Sequence, residues 1–297
     1  MRTPVFTGAC PALVTPFGES GAIDYQQFAV QIDRQIDAGV DAVCVCGTTG
    51  ESATMSIREH IAAVEFCVRH VDHRVKVIAG AGSNDTAAAV YLTQHAQDAG
   101  ADAALLVTPY YNKTSQTGLI RHYTYISERT DIPIILYNVP SRTGISFTAE
   151  TYRELSLDPK INGVKEASGN FSLISHTRSL CGDDFYIWSG NDDQVVPMMS
   201  LGAKGVISVA SNIVPELMVN MSHLCLAGDF ETAARLQIDY MELIDALFIE
   251  VNPIPIKAAM ELMGLPVGDP RLPLCPISEQ NLEWLRAAMA RKGLLPA

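Results

Sequence analysis

Short, nearly uninterrupted apolar runs alternate along this chain with longer stretches whose apolar positions recur every third or fourth residue. The first pattern suits a strand buried on both faces, and the second suits a helix with one buried stripe. Strands are predicted at Ala9–Thr15, Ala42–Cys46, Val75–Ala79, Ala103–Val107, Ile134–Tyr137, Ile161–Lys165, Phe185–Ser189 and Gly205–Val209. Helices are predicted after them, at Tyr25–Ala38, Ile57–His70, Thr86–Ala99, Leu119–Arg129, Ala149–Leu155, Phe171–Leu180, Gln194–Leu201 and Val214–Ala227. Gly39, Gly100 and Gly202 stand where a helix would stop before the next strand. A strand and a helix in each repeat of about 28 residues suit a closed parallel (β/α)8 TIM barrel, with an open parallel sheet as the other topology the pattern allows.

Beyond residue 224 the alternation stops. Phe230–Phe248, Ile256–Met263 and Ser278–Lys292 carry helical spacing, with prolines at 253, 255, 266, 270, 273 and 276 in the gaps. The expected division is therefore an α/β barrel, residues 1–224, and a C-terminal three-helix region, residues 225–297. The surplus leucines and methionines of that region are expected to pack on the barrel or to serve an oligomer contact.

A chain of 297 residues, 48% apolar and 18% charged, can bury a core of this size. Its net charge of −12 argues against an extended nucleic-acid footprint, so an anionic ligand must meet a local positive site. The cysteines at 10, 44, 46, 67, 181, 225 and 275 lack the spacing of zinc or redox motifs. They read as small buried hydrophobes of a reducing compartment, with Cys44 and Cys46 on one strand face. His70 and His73 read as a solvated helix end. Residues 1–17 lack the apolar core of a signal peptide, and no apolar run approaches the ~18 residues of a membrane helix. A soluble, cytoplasmic protein without membrane or nucleic-acid partners is expected.

In such a barrel the chemistry sits at the carboxyl ends of the strands. Lys165 ends the sixth predicted strand, where burial would favour the neutral, nucleophilic amine that forms a Schiff base with a ketone. Alone, a lysine there is more often an ordinary strand-end side chain reaching solvent. Its company changes the weighing. Gly47-Thr48-Thr49-Gly50-Glu51 follows the second strand and offers hydroxyl and backbone N–H donors to a carboxylate. It is not a nucleotide phosphate loop, because no Gly-Lys-Ser/Thr follows at the required spacing. Tyr110-Tyr111 follows the fourth strand, and Tyr137 and Arg142 come at and after the end of the fifth. Together these supply a nucleophile, a proton relay and two carboxylate receptors. A ligand-binding protein that merely keeps the pocket is the non-enzymatic alternative.

With these segments in place, the chain resembles the pyruvate-dependent class I aldolase and lyase family typified by dihydrodipicolinate synthase. The likeness runs from Ala12-Leu13-Val14-Thr15-Pro16-Phe17 through GTTGES (47–52), TPYYNK (108–113), YNVPSRTG (137–144) and GVKEASGN (163–170). It continues through SGNDDQ (189–194), GVISV (205–209) and NPIPIK (252–257), nearly the whole chain. The resemblance implies Lys165 as Schiff-base lysine and Tyr137 as proton donor and acceptor, with Thr48 and Tyr111 completing the relay. Tyr111 would reach into a neighbouring subunit's site. Thr49, Gly190 and the backbone of Ile207 match positions that hold pyruvate, and Arg142 matches the receptor for the carboxylate of aspartate semialdehyde.

The resemblance also implies a homotetramer built as a dimer of dimers, three carboxyl-terminal helices, and no metal or other cofactor. Arg142 within Ser141-Arg142-Thr143-Gly144 and Glu166 resemble the synthase branch, with cleavage of sialic acid or keto-sugar acids as the alternative. Ser52, Ala53, His60, Asn84 and Tyr110 match the site where lysine-sensitive members bind their inhibitor. Ile57 and Ala88 stand where those members often carry histidine and glutamate, so weak or absent lysine inhibition is expected.

Overall fold

The computed structural model describes residues 2–296. Its parallel strands are β1 (Gly8–Pro11), β2 (Ala42–Val45), β3 (Lys76–Gly80), β4 (Ala103–Val107), β5 (Ile134–Asn138), β6 (Ile161–Glu166), β7 (Tyr186–Ser189) and β8 (Gly205–Ser208). They lie in the order β1-β8-β7-β6-β5-β4-β3-β2. A parallel bridge between Ala12 and Cys44, with Leu13 N–H donating to the Cys44 carbonyl at 2.9 Å, closes the ring. The closed barrel forms, not the open sheet.

The apolar runs prove to be an alternation between two cores. Cys10, Ala42, Cys44, Ile78, Leu105, Ile135, Tyr137, Trp188 and Ile207 share one cluster, which fills the barrel. The residues between them, such as Val43 and Val77, or Leu136, Val164 and Val206, pack outward against the helices. Both faces are buried, so the runs read as continuous in sequence. Phe6 closes the barrel at the amino ends of the strands: it stacks on Trp188 at 5.2 Å and accepts the indole N–H on its carbonyl at 3.2 Å.

The helices start where a side chain can take their free N–H groups. Asp24, Ser56, Asp85, Ser115, Thr148 and Asn170 each accept from the first turn that follows. Ser115 starts its helix at Gln116, earlier than the expected Leu119, because Gly118 masks the helical pattern. β1 stops at Pro11, short of Thr15. Past it, Asn212 takes over the backbone, donating to the Ala12 carbonyl at 2.8 Å and accepting from Val14 N–H at 3.1 Å. The helices Phe230–Ala246, Ile254–Leu262 and Glu279–Arg291 follow the barrel, and Leu243, Met260, Leu285 and Met289 from them join its outer core.

Three smaller expectations fail. Cys46 has a φ of 54°, which turns it off the strand path, so Cys44 faces the barrel interior while Cys46 joins the outer core. Cys181 is only half-buried and Cys275 is exposed, so not every cysteine is a core residue. His70 is half-buried, its Nε2 2.9 Å from Asp33 Oδ1, which joins two helices instead of facing solvent. Among the described residues, no helix is long and apolar enough to cross a membrane.

Candidate active site

Lys165 is the last residue but one of β6, and the strand alternation that sends Val164 outward sends Lys165 into the barrel. It stands in register between Tyr137 on β5 and Trp188 on β7. Its Nζ lies 4.6 Å from the centroid of the Tyr137 ring, and the residue is only 6% exposed. A buried amine therefore faces a buried phenol, sheltered from bulk water. Gly190, just past β7, makes the room: a Cβ there would come within 3.1 Å of Lys165 Cε and 2.7 Å of the Ala167 Cβ. Ile207 on β8 is fully buried in the same barrel interior.

Glu166 points the other way. Its carboxyl accepts from Tyr152 Oη at 2.8 Å, from Asn138 Nδ2 at 3.0 Å and from Ser168 N–H at 2.9 Å. Burial pushes that carboxyl above the ordinary range for glutamate. Glu166 thus ties β6 to β5 and the outer layer and stays off the amine's face.

The Gly47–Glu51 loop is half-buried at Thr48 and buried at Thr49. Thr15 Oγ1 donates to the Gly50 carbonyl at 2.8 Å. Asn252 Nδ2 donates to Thr49 Oγ1 at 3.0 Å, and Lys257 Nζ pairs with Glu51 Oε1 at 2.9 Å, both of these residues lying in the C-terminal region. Arg142 sits on a short helix, Pro140–Thr143, that the periodicity does not reveal, and its Nη2 donates to the Asn252 carbonyl at 3.0 Å. Thr108 Oγ1 donates to Thr143 Oγ1 at 3.0 Å and binds the fourth-strand loop to this helix.

Thr48, Val139 and Arg142 open on a cavity of about 490 Å³ that neither Lys165 nor Tyr137 lines. Its far side is formed by Ser52, Ala53, Ile57, His60, Ala88 and Tyr110. One space thus reaches from a candidate relay residue, Thr48, and a candidate carboxylate receptor, Arg142, to most of the candidate regulatory set. His60 Nε2–H donates to the Gly80 carbonyl at 2.7 Å, and burial pushes the imidazole below its usual value. Asn84 does not line the cavity, and its carbonyl accepts from Asn112 Nδ2 at 3.0 Å, steadying the loop of Tyr110 and Tyr111. Tyr111 is the outlier: it is 92% exposed, with a φ of 66°, and its own chain does not bring it to the cavity.

Two buried polar residues escape the sequence reading. Asp192 follows β7, and its Oδ2 accepts from Val209 N–H at 3.0 Å and Ala210 N–H at 2.8 Å, which fixes the end of β8. Burial pushes its carboxyl up. Asn252 opens the NPIPIK segment, which carries the family likeness without giving Asn252 a role. Asp192 lies in SGNDDQ, another segment of that likeness, so both could have drawn notice, but nothing local shows what either side chain holds. Among the described residues, no three or more His, Cys, Asp or Glu side chains converge as a metal site.

A buried amine beside a phenol is equipped for addition to a carbonyl and loss of water, and in an α/β barrel this defines a lyase of the Schiff-base aldolase type. The chain belongs to the dihydrodipicolinate synthetase family, which it matches over residues 5–292. It is 50% identical over 293 residues to the 4-hydroxy-tetrahydrodipicolinate synthase of Thermoanaerobacter sp. (strain X514), with 98% of each chain covered. The crystal structure of dihydrodipicolinate synthase from Aquifex aeolicus is 43% identical, with a TM-score of 0.96, covering 98% of this chain and all (100%) of that one. The Cyanidioschyzon merolae enzyme solved with lysine bound is 41% identical, with a TM-score of 0.95, covering 99% of this chain and 100% of that one.

Proposed function

We propose that this protein is a 4-hydroxy-tetrahydrodipicolinate synthase, condensing pyruvate with L-aspartate 4-semialdehyde in lysine and diaminopimelate biosynthesis in the cytoplasm. The observation that carries the reading is the buried Lys165 amine over the Tyr137 ring, in a chain half identical to a synthase of that name. The Lys165 amine attacks the ketone of pyruvate, and loss of water leaves an iminium. Tyr137, with Thr48, moves the protons of this step and takes one from the methyl carbon to give the enamine. The enamine carbon bonds to the aldehyde carbon of the second substrate, whose carboxylate Arg142 grips. The substrate's amino group then attacks the imine carbon, expels Lys165 and closes the ring.

Thr49, Gly190 and the backbone of Ile207 hold pyruvate in this scheme, and it needs no cofactor. Tyr111, almost wholly in solvent, supports a homotetramer in which it completes the relay of a neighbouring subunit. Residues 1–224 carry the chemistry and residues 225–297 brace the Gly47–Glu51 loop. Ser52, Ala53, His60, Asn84 and Tyr110 form a regulatory site that has lost its charged partner for lysine.

Product formation coupled to dihydrodipicolinate reductase, followed as NADPH loss, tests the reading beside a Lys165→Ala control. Loss that disappears in the control supports it. No loss from well-folded wild-type protein, or an undiminished rate in the control, overturns it.

A further inference from the structure

Asn252 lies between two loops that the barrel holds on different strands. Its side-chain amide donates to Thr49 Oγ1 at 3.0 Å, after β2, and its main-chain carbonyl accepts from Arg142 Nη2 at 3.0 Å, after β5. The residue is only 6% exposed. Its Oδ1 is buried and has no hydrogen-bond partner among the described residues. Arg142 is otherwise exposed, and a long free guanidinium must give up rotamer freedom before it can grip a ligand. A tether at one Nη removes much of that loss in advance and leaves its other N–H groups free for a carboxylate.

We propose that Asn252 is a positioning residue that sets Thr49 and Arg142 at a fixed separation. The inference rests on the proposed condensation, in which Thr49 holds pyruvate and Arg142 holds the second substrate. Both carboxylates are then placed by one residue that touches neither reacting carbon, and the enamine meets the aldehyde without a search over arginine rotamers. Since the tether acts on binding geometry, its loss moves KM for both substrates more than kcat.

The test is steady-state kinetics of Asn252→Ala, with borohydride trapping of pyruvate on Lys165 in the wild type alongside. Both KM values are expected to rise about tenfold, the size of one lost buried hydrogen bond, with kcat within about threefold. Thr49→Val removes the same bond from its other end. It is expected to raise KM for aspartate semialdehyde about tenfold as well, and the double variant to be no worse than Thr49→Val alone. Should Asn252→Ala not fold, the Thr49→Val result decides by itself: an unchanged KM for aspartate semialdehyde overturns the inference. So does an Asn252→Ala enzyme with both KM values within about twofold of wild type, or effects that multiply fully in the double variant. Absence of trapping in the wild type overturns the proposed function itself. Normal trapping with unaffected variants overturns the positioning role alone.

Discussion

Replacing Lys257 by methionine tests how the C-terminal region holds the ligand loop. The Lys257 Nζ lies 2.9 Å from Glu51 Oε1, with side-chain exposures of 2% and 1%. Nζ also donates to the Asp269 carbonyl at 3.1 Å and sits 4.5 Å from the centroid of Phe17. Burial pushes the lysine below its ordinary value while Glu51 pulls it back up. With Lys257 gone, the Glu51 carboxylate keeps the Arg271 N–H at 2.8 Å and the more distant field of the Arg271 guanidinium, but loses its one directly paired cation. Breaking a buried pair from one side costs about 3 to 5 kcal/mol, a large share of the ~5 to 15 kcal/mol that holds a domain folded. Urea unfolding followed by circular dichroism measures the loss directly. Glu51→Gln added to Lys257→Met removes the stranded charge and is expected to recover about 2 kcal/mol or more. A single variant that loses less than about 1 kcal/mol, or a double variant equal to the sum of the singles, would refute the argument.

Gly190→Ala places a methyl 3.1 Å from Lys165 Cε and 2.7 Å from the Ala167 Cβ. The variant is expected to fold and to trap pyruvate at least about tenfold more slowly, and wild-type trapping would count against the packing described. His122 is buried, its Nδ1 2.9 Å from Thr86 Oγ1, and burial pushes its imidazole from 6.5 down to about 4. In that window the unfolded chain takes up a proton that the folded chain refuses. Stability from this group is complete above about pH 6.5 and falls by about 3 kcal/mol as pH drops toward 4. His122→Asn should flatten that part of the curve, and an unchanged slope in urea unfolding across the window would contradict it. Ile57 and Ala88 line the cavity without a charge for an ammonium group. Lysine at about 1 mM should therefore inhibit by less than half, given the ~1.5 to 3 kcal/mol such a contact supplies, and half-inhibition well below millimolar would show another partner at work.

What was legible in the sequence was local or periodic. Strand and helix repeats announced the barrel because burial on both faces of a strand, and on one stripe of a helix, leaves its mark residue by residue. Lys165 and Tyr137 stood out because strand ends in a barrel converge on one rim, so their place in the repeat placed them in space. The short helix under Arg142 left no trace, since four residues are too few for a period to show. Cys46 departed from its strand because of one backbone angle, which composition does not encode.

The sequence by itself thus determined the repeating architecture, the inward lysine and its phenol, and the family to which they point. Only the tertiary structure decided what steadies them. Asn252 meets Thr49 across 203 residues, Lys257 meets Glu51 across 206, and Arg142 reaches Asn252 across 110. Contacts that distant follow from how the C-terminal helices dock on the barrel, and docking is set by the fit of whole surfaces, which no local pattern records. The turn of Glu166 away from the amine belongs with them, because partners on other elements, Tyr152 and Asn138, hold its carboxyl.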